Sequence, residues 1–295
     1  LAPNSLRDSL VAQGYQEVVT YSFVDESWER DLLGNAAPIK LLNPIASNLS
    51  VMRTSLWGGL LDSLSYNLNR KQERAFLFEI GAVFHKTANV YQETARISGL
   101  AYGSAKPEQW AADGADVDFF DVKAHVDALI GADCAYEKAE HAALHPGQTA
   151  RIVLNGKAIG WLGKLHPKWQ QHYDLSKSTF LFELDVEAIV NRAVPTYSEV
   201  SKLLPVRRDI AIVVDAETPV NQVLTAIQSA QIPLLQTVSL FDLYQGKGVA
   251  ENKKSLALSV LMHDTQKTLT DNDADAVVTN LLQLLQDKFG AILRN

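Results

Sequence analysis

Residues 234–263 read LLQTVSLFDLYQGKGVAENKKSLALSVLMH. Two β-rich runs, 234–244 and 255–263, flank a loop at 245–252 that carries Gly246 and Gly248, the pattern of a strand–loop–strand unit. In the second run Leu256, Leu258, Val260 and Met262 alternate with Ser255, Ala257 and Ser259. One face of that strand is therefore apolar and the other small and polar. Upstream, residues 209–215 read as a strand. Thr218 then caps a helix with Pro219 at its first position and Val220, Val223, Leu224 and Ile227 as its apolar stripe. Downstream, Thr270-Asp271-Asn272-Asp273 opens a second helix with Val277, Val278, Leu281, Leu284, Leu285 and Phe289 inward, and a last short strand falls near 291–293. The order β-α-β-β-α-β is a ferredoxin-like arrangement.

In such a fold two helices cover one sheet face and the other is free to meet a ligand. Alternation places Asp242 and Tyr244 on one face of their strand and Phe241 and Leu243 on the other. With Ser255 and Ser259 they would form a small polar face beside an aromatic ring. A ring can stack on an unpaired base, and a carboxylate can accept from the N–H edge of a guanine. Arg207, Arg208, Lys253 and Lys254 stand at strand starts, within reach of phosphates. The same residues also fit a plain solvated strand end, and Arg208 with Asp209 fits an internal ion pair.

The first 190 residues give a second α+β pattern on a largely antiparallel sheet. Helical spacing marks 6–14 and, from Ser55, Leu56, Leu60, Leu61, Leu64 and Leu68. Runs at 17–23, 75–84, 96–102 and 180–185 read as strands, and 122–130 as a helix. Asn155-Gly156 between the runs 151–154 and 158–163 is a strong hairpin signal, because a type I′ turn needs positive φ at both residues. A boundary falls at 192–199, where Pro195 ends the preceding helix. This gives a first domain over 1–193 and a second over 198–295.

Composition sets limits. The chain has 295 residues, 47% hydrophobic and 21% charged, with a formal net charge of −7. That balance argues against a binder that holds nucleic acid by bulk charge, so any RNA contact is local. The absence of an initiator Met suggests a piece of a longer protein. The lone Cys134 makes neither an internal disulfide nor a zinc site, which fits a reducing, cytoplasmic setting. His141, His145 and His166 lie in turns, without metal-ligand spacing. Asp116, Asp118 and Asp121 lack a calcium-loop pattern and read as helix-start residues. There is no phosphate-binding glycine loop and no nucleophile–base pairing, so no catalytic residue is assigned. Arg96 and Arg151 are the only strand arginines that an ATP-using reading of the first domain would have, and neither has a recognisable ATP-site context. A ferredoxin-like module that binds a small regulatory ligand is the third reading.

Four motifs in order, Leu204-Pro205-Val206-Arg207-Arg208-Asp209-Ile210-Ala211, Leu240-Phe241-Asp242-Leu243-Tyr244, Lys254-Ser255-Leu256-Ala257 and Thr268-Leu269-Thr270-Asp271, resemble the ferredoxin-fold anticodon-binding domain of bacterial phenylalanyl-tRNA synthetase β subunits. Leu42-Asn43-Pro44-Ile45, Met52-Arg53-Thr54-Ser55-Leu56, Leu77-Phe78-Glu79-Ile80-Gly81, Leu144-His145-Pro146-Gly147 and Gly163-Lys164-Leu165-His166-Pro167 resemble the synthetase-like core of the same family, so the likeness runs over nearly the whole chain and matches the C-terminal part of the subunit. The resemblance implies a non-catalytic core of class II synthetase fold followed by a domain that packs on the anticodon, whose first base is guanine. It assigns anticodon contact to Pro205, Arg207, Arg208, Asp242, Tyr244 and Ser255. It places Asn43 and Arg53 in a segment that faces a catalytic α subunit in an (αβ)₂ tetramer, where Arg53 could cross to the partner or, equally, cap a helix or pair locally. It implies a role in attaching phenylalanine to tRNA-Phe, in the cytoplasm, with ATP and Mg used by the whole enzyme and no cofactor or metal in this portion. The portion alone is expected to be inactive.

Overall fold

The computed structural model describes residues 3–87, 90–111, 114–190, 197 and 202–294. The chain divides into two compact units, Leu1–Val194 and Pro195–Asn295. Apart from Tyr197, the boundary read at 192–199, with Pro195, lies outside the described residues.

The first unit opens with α1 (Pro3–Ala12), β1 (Gln16–Glu17) and β2 (Phe23–Val24), then a π-helical turn at Trp28–Leu32, β3 (Val51–Met52) and α2 (Trp57–Leu68). β4 (Ala75–Thr87), β5 (Val90–Tyr102), α3 (Phe119–Ile130), β6 (Ala135–Lys138), β7 (Leu144–Leu154), β8 (Lys157–Leu165), α4 (Pro167–His172), β9 (Thr179–Asp185) and α5 (Val186–Val190) follow. Seven strands form one sheet in the order β1-β4-β5-β9-β8-β7-β6. Only the β1–β4 pair is parallel.

Both faces of this sheet are covered, which explains strands that read as near-continuous apolar runs. Phe76, Phe78, Ile97, Phe180 and Phe182 face one core with α1, α3 and α5. Leu77, Leu100, Leu181 and Leu165 face the other with α2 and Trp169 of α4. The expected strand over 17–23 is broken: only the short pieces β1 and β2 are paired there. The two glycines of α2 are spacers for close approach. A Cβ on Gly58 would meet the Trp28 ring at 2.3 Å, and one on Gly59 would meet Thr20 Oγ1 at 2.3 Å. The Asn155-Gly156 turn has φ of 51° and 77°, as the hairpin reading required.

The second unit is β10 (Val206–Asp215), α6 (Val220–Ser229), β11 (Leu235–Tyr244), β12 (Lys253–Met262), α7 (Asp271–Phe289) and β13 (Ile292–Leu293). The sheet order is β11-β12-β10-β13, all antiparallel. This is the ferredoxin-like topology read from the sequence. Ile210, Ile212, Val214, Leu256, Leu258, Val260 and Met262 pack on Val223, Ile227, Val277, Leu281 and Leu285 of the two helices. Pro219, and not Thr218, is the residue before α6, and no side chain caps that helix start.

Helix starts follow local chemistry. Thr270 and Asp273 form a reciprocal capping box at α7, and Asp118 and Asp121 do the same at α3. The loop histidines also act locally: ring Nδ1 atoms of His141, His145 and His166 accept from the backbone N–H groups of Ala143, Gly147 and Lys168. Thr270→Ala is expected to destabilise the second unit by about 1 kcal/mol. Faster amide hydrogen exchange in the first turn of α7 would show it; an unchanged rate would mean that the cap contributes nothing.

Candidate nucleic-acid interface

The register of the second sheet fixes what its helix-free face presents. Val213, Ser255 and Tyr244 form one row across β10, β12 and β11; Ala211, Ala257 and Asp242 form the next; Asp209, Ser259 and Ser239 the one after. Arg207 lies one row further, opposite Leu261. Arg207, Asp242, Tyr244 and Ser255 therefore share the open face, as alternation predicts.

Arg208 does not join them. It stands opposite the buried Val260, on the helix-bearing side, and pairs with Asp271 in the first turn of α7. The pair foreseen within this motif is instead Arg207 with Asp209, at 2.8 Å and half exposed, a geometry that contributes little stability. Alternation divides the lysines likewise. Lys253 faces the open side beside Asp215, whereas Lys254 stands with Val214 on the helix side and donates to Ala216 O. Pro205 precedes β10 and is exposed.

A second correction concerns Phe241. The β11–β12 register slips between Leu240 and Asp242, so Phe241 is an extra, bulged residue. It does not return to the core side with Leu243. It is 55% exposed, and the Arg207 guanidinium lies 5.8 Å from its ring centre. The bulge thus adds a second aromatic ring beside a cation.

Tyr244 is held in place. Its hydroxyl donates to Lys247 O at 3.1 Å, and the Arg294 guanidinium sits 5.0 Å from its ring centre. Arg294 follows β13, its N–H bonds to Ala211 O, and it reaches the open face from the far edge of the sheet. Sequence spacing gave no sign of this. The only signal was a basic residue just past the last strand. Ser255, by contrast, is 3% exposed, so its hydroxyl lies beneath the surface and not on it. Together Arg207, Phe241, Asp242, Tyr244 and Arg294 give two rings, two guanidiniums and a free-standing carboxylate on one sheet face, a set that can stack unpaired bases, meet phosphates and accept from a base edge.

In the first unit the segment 53–56 is anchored by three buried carboxylates. Arg53 Nη1 donates to Glu79 at 2.9 Å and to Thr20 Oγ1, and its Nε donates to Ala82 O. Thr54 donates to Glu29 from both its N–H and its hydroxyl. Ser55 Oγ and the Leu56 N–H both donate to Glu183 Oε2. Arg53 is 4% exposed, so of its two readings the local pairing holds and the crossing to a partner does not. Asn43 is exposed, between the exposed Leu42 and Ile45. Val19, Tyr21 and Tyr66 are exposed apolar residues lining a groove of about 840 Å³ between segment 18–28 and α2. Among the described residues no helix is long and apolar enough to cross a membrane.

Two family models match. Residues 2–186 match the phenylalanyl tRNA synthetase beta chain CLM domain, and residues 201–294 the ferredoxin-fold anticodon binding domain. Similar curated proteins include the phenylalanine–tRNA ligase beta subunits of Nitrosospira multiformis, 47% identical over 98% of this chain, and of Chromobacterium violaceum, 49% identical over 99% of it. That of Dechloromonas aromatica is 46% identical over 98% of the chain. The chain spans 37–38% of the length of these relatives. With the CLM match covering more than half of the sequence and the anticodon-binding match most of the rest, the chain belongs to the phenylalanyl-tRNA synthetase β-chain family.

Proposed function

We propose that this chain is the scaffolding and anticodon-reading portion of a phenylalanine–tRNA ligase. The open face of the second unit binds the tRNA-Phe anticodon. The first unit docks on the catalytic α subunit of an (αβ)₂ enzyme. That enzyme joins phenylalanine to tRNA in the cytoplasm, with ATP and Mg²⁺ used at the α subunit. The observation that carries the reading is the gathering of Tyr244, Asp242, Arg207, Phe241 and Arg294 on the one sheet face that no helix covers. The exposed apolar residues Val19, Tyr21 and Tyr66, with the Leu42–Ile45 stretch, supply an apolar surface suited to the α subunit.

In this reading Asp242 accepts from the N–H edge of the first anticodon base, a guanine. Because Asp242 is exposed, that bond competes with water, and Asp242→Ala should cost about 1–2 kcal/mol of discrimination against adenine at that base. Anisotropy titrations of the two anticodon hairpins measure it. Equal losses for both hairpins would assign Asp242 a general role and not base reading. The docking half is tested by mixing the chain with α subunit. A stable complex weakened by Tyr66→Asp supports it, and a complex indifferent to that change moves the interface elsewhere.

A further inference from the structure

A second, smaller cavity lies in the first unit, away from the groove beside α2, on the sheet face that α2 partly covers. It measures about 190 Å³, below the range of drug-sized sites but ample for a molecule of a few heavy atoms. Its floor is sheet. Glu183 of β9 stands beside Trp161 of β8 and Ser98 of β5, and Arg96 is two residues from Ser98 on the same face. Its wall is built by Ser55 and Trp57 at the start of α2, and by His141.

Two opposite charges meet there, and each keeps a polar atom without a hydrogen bond among the described residues. Arg96 Nε is buried with no hydrogen-bond acceptor. A buried donor on a cation that lacks an acceptor is costly and rare. Glu183 is buried, and Ser55 and Leu56 both donate to Oε2, the oxygen that takes every bond found for this carboxylate among the described residues. Burial raises its pKa, and the bonds from Leu56 and Ser55 and the charges of Arg96 and Arg53 oppose that only in part. Burial and Arg96 push the pKa of His85 down against the pull of Glu29, which disfavours a second positive charge there. The remaining wall is aromatic. His141 lies edge-on between Trp57 and Trp161, with ring centres 4.9 Å and 5.1 Å away. Burial holds its pKa down to about 4, so it is a neutral ring.

A small anion would satisfy Arg96 and worsen Glu183; a small cation would do the reverse. A ligand with both charges a few bonds apart satisfies both, and an apolar body fits the indoles. We propose that this cavity binds a small zwitterion of the α-amino acid class, its carboxylate on Arg96 and its ammonium on Glu183. The inference is independent of the RNA-binding face and of the docking surface.

The test is calorimetric titration of the intact chain with glycine, L-leucine and L-phenylalanine. Leucine methyl ester, which lacks the carboxylate, and 4-methylpentanoate, which lacks the amine, are run beside them. Saturable binding of at least one amino acid is expected. For L-leucine, each analogue should be weaker by about tenfold or more, as loss of a charged hydrogen-bonded contact requires. Arg96→Met should weaken the amino acid by a similar factor; because Arg96 also offsets the buried Glu183 charge, the titration is run well below the variant's own thermal transition. Glu183 also holds the start of α2, so Glu183→Gln is read only if it melts like the parent, and Arg96→Met carries the test. No saturable binding by any of the three overturns the proposal. So does binding of either analogue as tight as that of L-leucine, or an Arg96→Met chain that binds unchanged.

Discussion

Arg53→Leu should destabilise the first unit by about 3–5 kcal/mol, because it leaves a buried carboxylate without its cation. Arg53 and Glu79 are 4% and 3% exposed, and their contact of 2.9 Å is shared with Thr20, whose hydroxyl also donates to Glu79 at 2.7 Å. The guanidinium ties three chain segments together: Thr20 and Tyr21, Glu79 and Ala82 of β4, and the entry to α2. The site is tight as well as polar. A Cβ on Gly81 would come within 2.5 Å of the guanidinium, so a larger residue there would have to displace it from its partners. Replacing both partners with apolar residues, Arg53→Leu with Glu79→Leu, should recover part of the loss, since the charge left behind is the main penalty. All five tryptophans, Trp28, Trp57, Trp110, Trp161 and Trp169, lie in the first unit. Urea unfolding followed by tryptophan fluorescence therefore reads this unit alone. A loss below about 1 kcal/mol, the scale of an exposed pair, would mean that solvent reaches the site.

Tyr244→Ala should weaken binding of the anticodon hairpin by about 2 kcal/mol through lost base stacking. The ring is pre-positioned by its hydroxyl bond to Lys247 O and by the Arg294 guanidinium, so little ordering is left for the RNA to impose. Tyr244→Phe separates the two contributions. It keeps the stacking surface and loses only the tether, and it should bind within severalfold of the parent. If Tyr244→Phe is as damaging as Tyr244→Ala, the hydroxyl and its loop contact matter and the ring does not. If neither changes affinity while the chain stays folded, the base does not stack there.

Much of this was legible in the sequence, and the exceptions share a cause. Period-two alternation in 255–263 fixed the inner and outer faces of β12, because four apolar residues at alternate positions leave one solution. Asn155-Gly156 announced its hairpin through the positive φ that both residues adopt. Thr270 and Asp273 announced their helix start because a capping box is a bond between neighbours in sequence. Each of these signals is local. Phe241 was misplaced because a bulge shifts the alternation by one, and no residue in Leu240-Phe241-Asp242 compels a bulge there. Arg207 and Arg208 enter together through one motif, Pro205-Val206-Arg207-Arg208-Asp209, whereas a strand sends neighbours to opposite faces. Arg53 was visible as part of a motif. Its burial follows from Glu79, 26 residues later, and Thr20, 33 residues earlier, contacts that only the tertiary fold sets. Arg294 reaches Tyr244 from the opposite edge of the sheet, which no window of sequence contains.

The central claim is that the open face of β10, β11, β12 and β13 reads an anticodon. Its most direct test is fluorescence anisotropy of the tRNA-Phe anticodon stem-loop with this chain, against the same hairpin with the first anticodon guanine changed to adenine, each titrated with and without α subunit. The account predicts tighter binding of the guanine hairpin, with the difference lost in Asp242→Ala. Equal affinity for the two hairpins, or no binding to either even with the α subunit present, would contradict it.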